Sequence, residues 1–329
     1  MPVVVRRCMR HFRPTFPVAP MSIARSILLR ASKSKFLNHQ TAHRAFVKRA
    51  VKKFMPGEQP SDALDAAQLL SREGRGSVLT KLGENITELS EAQAVCDHYL
   101  DFFDQLAERS VPGHVSVKPT QLGLDLSKAA CAAHLEALAV KAAETGSFLW
   151  IDMEDSSYVD RTLELYRNLK ARHDRTGVCI QAYLRRTPAD IESLMPVRPA
   201  IRLVKGAYAE PASVAFPAKR DTDMAYFELS IKMLEGAANG SCFPVFGTHD
   251  IPLLARIINK ARDLGVADSA YEIHMLFGIR DGDQRRLRSD GRTVRTLISY
   301  GASWFPWYMR RLAERPANVW FVVRSMLPG

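Results

Sequence analysis

Two arginines stand side by side, Arg310 and Arg311, in the run WYMRRLAERPAN, with Glu314 four residues beyond the first and Pro316 ending the segment. Adjacent guanidinium groups repel each other unless an anion answers them, and their planar forks match the two oxygens of a carboxylate. At i, i+4 on a helix, Glu314 shares a face with Arg310 and can orient it, while Arg311 projects about 100° away. Trp304, Phe305, Trp307 and Tyr308 lie just upstream. The combination reads as a carboxylate clamp in a partly apolar setting. The plain alternative is a solvated helix face carrying Arg310–Glu314 and Arg311–Arg315 pairs.

Other groups able to do chemistry recur earlier: Glu84, Lys118, Asp152 with Glu154, Gln181, Arg202 with Lys205, Thr248 with His249 and Asp250, and His274. Each falls at or near the end of a β-rich run. The runs cover 77–82, 114–119, 148–153, 178–184, 200–206, 243–249, 271–276 and 294–299, eight in all. Each is followed by a stretch long enough for a helix. One such stretch, DIPLLARIINKARDLG, puts Ile251, Leu254, Ile257 and Ile258 on one face at helical spacing. Eight strand–helix repeats predict an α/β fold, the closed (β/α)8 barrel of TIM type, with a final helix over its mouth. An open doubly wound sheet would want a GxGxxG turn after an early strand, and the chain has none. Before the first strand, SDALDAAQLLSREGRG predicts a helix against the barrel, with Ser61 as its cap.

In a barrel, the C-terminal strand ends meet at one rim, and catalytic groups sit there. Burying an unpaired charge costs several kcal/mol. Polar groups on seven of the eight strand ends therefore imply mutual pairing or a polar ligand, and a ligand site is the favoured reading. Asp152, Glu154, His249 and Asp250 have the chemistry of metal ligands. Lys118, Arg202 and Lys205 on the same rim would repel a cation, however, and no HxH or HExxH is present, so no metal is expected. A basic rim suits an anion, either a phosphate-bearing cofactor or a carboxylate substrate. Gly206, directly after Lys205, lets a ligand approach the backbone.

Composition narrows the class. The chain has 329 residues, 47% hydrophobic, and a net charge of +11. Residues 1–53 hold 13 Lys/Arg and no Asp or Glu; removing these from the 46 leaves 33 basic against 35 acidic residues. The excess belongs to an arm, not to a working face, so nucleic acid is not an expected partner. The division expected is a basic arm over 1–57 and the barrel over 58–329. The arm has the composition of a mitochondrial transit peptide, of a helix lying on anionic headgroups, or of a solvated basic helix. Met21 offers a second start, which would make residues 1–20 a spurious extension. Five scattered cysteines without CxxC spacing suit a reducing compartment. No run approaches the ~20 apolar residues of a membrane span. The expected location is cytoplasmic, with peripheral contact on the inner membrane face.

SVKPTQLGL, IDMED, QAYLRR, RLVKGAY, GTHD, YEIHMLFG and WYMRRLAERPAN follow one another in order. From about Met21 to the C-terminus, the sequence resembles the proline dehydrogenase family, flavin-dependent (β/α)8-barrel enzymes of proline catabolism. The resemblance implies noncovalent FAD held by Ile151, Gln181, Arg202, Lys205, Gly206, Ala207, Thr248 and His249. It implies Lys118, Arg310 and Arg311 as ligands of the substrate carboxylate, Asp152 and Arg202 as catalytic positions, and Glu84 as a gate pairing with Arg311. The implied reaction takes hydride from the ring carbon beside nitrogen of L-proline to flavin N5, giving 1-pyrroline-5-carboxylate, with electrons passed to a membrane quinone. Four positions depart from the usual pattern. Leu297 replaces a tyrosine of the substrate pocket, His274 replaces a glutamine and is expected to titrate near neutrality, Thr80 replaces an acid, and Ala209 replaces an aromatic residue. Leu297 keeps open another cyclic amino acid, hydroxyproline or pipecolate, as substrate; a non-catalytic flavin-binding barrel that docks on a membrane through its arm is a separate alternative.

Overall fold

All eight predicted runs form strands: β1 Gly76–Lys81, β2 Gly113–Val117, β3 Leu149–Ile151, β4 Thr176–Gln181, β5 Ala200–Val204, β6 Phe243–Gly247, β7 Glu272–Leu276 and β8 Val294–Tyr300. Each pairs in parallel with the next, and β8 returns to β1 through Gly76↔Arg295 to Lys81↔Tyr300, closing the barrel. The structure is a computed structural model and describes residues 51–83, 86–305 and 307–308. Among these residues the helices are α1 Pro60–Arg72, α2 Leu89–Glu108, α3 Lys128–Glu144, α4 Val159–Lys170, α5 Thr187–Leu194, α6 Lys219–Ala238, α7 Ile251–Asp263 and α8 Asp281–Ser289. Residues 42–304, which hold the barrel, form one compact unit; a second comprises residues 1–41 and 305–329. Beyond Trp307 and Tyr308, which are helical, the segment expected as the final helix lies outside the described residues, as does most of the expected arm.

Strand alternation sorts the side chains. Leu79, Val115, Leu149, Ile151, Ile201 and Ile273 point outward into a fully buried core beneath the helices. Each such aliphatic side chain contributes about 1.5–3 kcal/mol. Inside the barrel is a smaller cluster of Val78, Trp150, Ala200 and Val245, with Phe148, Phe243 and Leu297 against it. The four described cysteines are free and buried. Among the described residues no helix is long and apolar enough to cross a membrane.

Two local expectations change. Ser61 does not cap α1: Pro60 takes the first turn and Gln59 the cap, with the Asp62 carboxylate accepting from the Gln59 N–H at 2.9 Å. Proline fits there because a first-turn N–H has no helical acceptor to lose. The helix then lies across the β8–β1 seam. Several strands also stop earlier than their β-rich runs. β2 ends at Val117 because Pro119, which has no N–H, starts a short 3-10 turn. Lys118, Asp152, Lys205, Thr248 and His249 therefore stand just past the ladder, on the rim loops.

Candidate active site

Arg202 occupies the centre of the barrel mouth. It projects inward from β5, in register with Cys179 and Val245, and is 3% exposed. Its Nη2 donates to Ser116 Oγ at 2.9 Å and pairs with the Asp152 carboxylate. Ser116 Oγ in turn donates to Asp152 Oδ1 at 3.0 Å. The guanidinium carbon lies 5.1 Å from the centroid of the Trp150 ring. Burial works against the charge of Arg202, but Asp152 and Cys179 beside it carry its pKa above the ordinary value. Nη1 is buried and has no hydrogen-bond partner among the described residues.

Gln181, at the end of β4, is similarly half-committed. Its Nε2 donates to the Glu154 carbonyl at 3.2 Å, whereas its buried Oε1 has no partner among the described residues. The Glu154 carboxylate, a side chain of metal-ligand type, instead clasps a loop. It accepts from the Thr120 N–H at 3.1 Å and hydroxyl at 2.7 Å, and burial raises its pKa. Lys118 opens that same turn, half-buried on the rim, and its charge acts on Glu154.

Further round the same rim, past β5, a second cluster is built around Lys205. Its Nζ sits 2.5 Å from Asp223 and 2.8 Å from Asp250, and Lys219 joins both carboxylates. Burial alone would raise both aspartates; Lys205 and its neighbours bring them below the usual range. Asp250 also caps α7, accepting from the Leu253 N–H at 3.2 Å, and its own N–H donates to Thr248 Oγ1 at 3.1 Å. His249 Nε2 accepts the Leu276 N–H at 2.9 Å, which leaves the imidazole proton on Nδ1.

Gly206 has φ +111°, and a Cβ there would fall 2.1 Å from the Tyr183 ring, so only glycine fits. The loop after β4 follows the loop after β5 closely: Ala182 N–H donates to Val204 O at 2.8 Å and Tyr183 N–H to Lys205 O at 3.0 Å. Ala207 follows on this loop, half-buried. Ile151, expected beside the cofactor, lies in the outer core, because adjacent residues of a strand face opposite ways and Asp152 takes the inner side. Glu84, Arg310 and Arg311 lie outside the described residues, so the arginine clamp and its gate have no described geometry.

Below the rim, His274 donates from Nε2 to Glu272 Oε2 at 3.0 Å, and Arg295 Nε donates to the same oxygen at 2.8 Å. His274 was expected to titrate near neutrality. Burial instead pushes its pKa to about 4, outweighing Glu272, and the ring is neutral at pH 7. Its Nδ1 has no partner among the described residues. Asp223, Tyr183 and Trp150 were not singled out in the sequence. Only Asp223 carried a local signal, its i, i+4 spacing from Lys219.

These features fit a flat, polar-edged cofactor. The mouth offers an unspent donor on Arg202 Nη1 and an unspent acceptor on Gln181 Oε1. It also offers a loop held without a side chain at Gly206. A buried polar atom without a partner costs about 1–3 kcal/mol, which a ligand bearing both donors and acceptors would recover.

The protein-family model described as Proline dehydrogenase matches residues 63–324. Proline dehydrogenase 1 of Bacillus subtilis (strain 168) is 36% identical over 276 residues, covering 84% of this chain and 90% of its relative. Proline dehydrogenase 2 of Bacillus subtilis subsp. natto is 32% identical over 306 residues, covering 93% and 99%. A solved structure of proline utilization A (PutA) from Bdellovibrio bacteriovorus, inactivated by N-propargylglycine, is similar with a TM-score of 0.76 at 24% identity. That match covers 91% of this chain and 37% of the PutA chain, and it bears on the fold alone.

Proposed function

This chain belongs to the proline dehydrogenase family, and from that premise we propose that it oxidises L-proline to 1-pyrroline-5-carboxylate at the barrel mouth, with FAD as its cofactor. The observation that carries the reading is Arg202, a buried cation at the centre of the rim with one terminal nitrogen unspent. Bound FAD supplies the acceptor for the hydride leaving the ring carbon beside nitrogen. Arg202, Gln181, Lys205, Gly206, Ala207, Thr248 and His249 would hold it. Arg202 keeps a fixed positive charge where water is excluded, so negative charge developing nearby is stabilised without reorganisation. Asp152 is committed to Arg202 and Ser116. Its part is to fix the guanidinium, not to take the amine proton. Lys118, Arg310 and Arg311 would grip the substrate carboxylate, with Glu84 over them. Holding the ring in line for transfer is worth several kcal/mol, of order 7–11 at the extreme. Electrons would pass on to a membrane quinone, with the basic arm giving peripheral contact on the cytoplasmic side.

A second reading concerns the ring. Leu297, half-buried, faces the interior cluster of Val78, Trp150 and Val245 and presents neither hydroxyl nor aromatic wall. A larger or substituted ring, hydroxyproline or pipecolate, would meet less obstruction there. Anaerobic mixing decides both points. Purified protein should be yellow and should bleach with L-proline. Colourless protein unable to take up FAD would overturn the function, and bleaching by proline far faster than by the other two acids would retire the second reading.

A further inference from the structure

We propose that Trp150 is the residue that aims Arg202, a positioning role resting on the reading of Arg202 as the cation that faces the cofactor. The hydrogen bonds of Arg202 to Ser116 and Asp152 both leave from Nη2. Both bonds anchor one corner of the planar fork, and among the described residues no hydrogen bond from Nη1 holds the far corner against tilting. Cys179 adds only a weak thiol contact. The indole face under the guanidinium, 5.1 Å from centroid to Cζ, supplies the missing constraint. It does so without consuming any N–H of the fork, which leaves Nη1 unspent.

The indole is itself locked. Trp150 is wholly buried and projects inward from β3, in register with Ser116 on one side and Gly177 on the other. A Cβ on Gly177 would meet the Trp150 ring at 2.4 Å, so β4 leaves the space beneath the indole open. The Nε1–H donates to His114 Nδ1 at 3.2 Å, which sets the rotation of the ring. His274 closes the remaining side edge-on, 5.5 Å away at 79°. Ring, acceptor and edge partner come from β3, β2 and β7, so rigid strands, not loops, set the direction of the guanidinium.

Two measurements on the full chain test this. The first needs no cofactor: urea unfolding of Trp150→Leu, Arg202→Met and the double variant, beside wild type. A coupling of about 2- to 30-fold in the unfolding constant is expected from the cation–aromatic contact; additive effects would overturn the proposal. Should Arg202→Met fail to fold, Trp150→Phe replaces it as the comparison. Trp150→Phe keeps an aromatic face and should retain most of the stability that Trp150→Leu loses, and equal losses would sink the idea. The second measurement is the two-electron reduction potential of bound FAD. Trp150→Leu should destabilise the reduced form about tenfold, a shift of about 30 mV to the negative, and Trp150→Phe should recover most of it. An unmoved potential in a variant that binds FAD normally would refute the positioning role. Failure of wild type to take up FAD, with the coupling intact, would count against the proposed function and leave the Trp150–Arg202 contact standing.

Discussion

His274 and Glu272 meet across 3.0 Å inside the barrel, faced by Arg202, Arg295 and His114. Burial keeps His274 neutral down to about pH 4, whereas a histidine in the unfolded chain takes its proton near 6.5. Between those values the unfolded state binds more protons, so stability falls as pH drops from 6.5 towards 4 and is unaffected above. Burial would raise Glu272, but His274 and Arg295 hold it well below the carboxylate range. Its contribution is present above the ordinary carboxylate pKa and is lost only in stronger acid. Melting temperature measured from pH 8 to pH 4 should therefore decline below 6.5. His274→Gln should make that decline shallower without abolishing it, because burial also lowers His98 and His114. An unchanged slope would mean His274 is not kept neutral. Asp152 acts at the same scale. Asp152→Ala would leave Arg202 charged, buried and without its counter-ion, a cost of about 3–5 kcal/mol. Urea unfolding checks this, and a loss below about 1 kcal/mol would contradict the pairing.

Between elements, the rim is laced loop to loop. Gln121 Nε2 bridges the carbonyls of Lys81 and Gly83 at 3.2 and 2.7 Å, tying the loop after β1 to the turn after β2. Glu154 ties that turn to the loop after β3. Glu210 accepts from the Ser156 N–H and hydroxyl, both at 2.7 Å, and ties the β3 loop to the β5 loop. Gly206 lies within this lacing, against Tyr183. Gly206→Ala should weaken FAD binding tenfold or more while far-UV circular dichroism stays unchanged, and unaltered FAD affinity would show that the loop tolerates a side chain. The barrel was legible because eight β-rich runs each precede a helix-length stretch, and the rim because seven of them end in a polar group, both patterns local in sequence. What was not legible depends on geometry that spacing does not encode. Ile151 and Asp152 are neighbours in the chain but face opposite sides of β3. Lys205 finds Asp223 and Asp250 18 and 45 residues away, and Glu154 turns back on Thr120 at a distance of 34. Trp150 was not singled out, because nothing in FLWIDM says that Arg202 lies over its ring.

For the molecule as a whole, charge is the least evenly distributed property. Residues 1–53 carry 13 Lys/Arg without an acid, and the remainder is close to neutral. Each cationic side chain near an anionic lipid surface contributes about 1 kcal/mol, falling off within a Debye length of about 10 Å at 0.1 M salt. A handful of these contacts is enough for reversible association, and no membrane-crossing helix is needed. The full chain should sediment with vesicles containing anionic lipid, much less with neutral vesicles, and should be released by 1 M salt. Deleting residues 1–41 removes eight of the arm's basic residues and, at about 1 kcal/mol each, should reduce binding at 0.1 M salt by orders of magnitude. FAD absorbance and turnover with a soluble electron acceptor separate a docking role from a folding one: a truncated protein that stays yellow and active has lost only its hold on the surface. Sedimentation unchanged by the deletion would place the membrane contact elsewhere on the chain. In that case the excess positive charge would need a different explanation, with the mitochondrial-targeting reading of the same composition next in line.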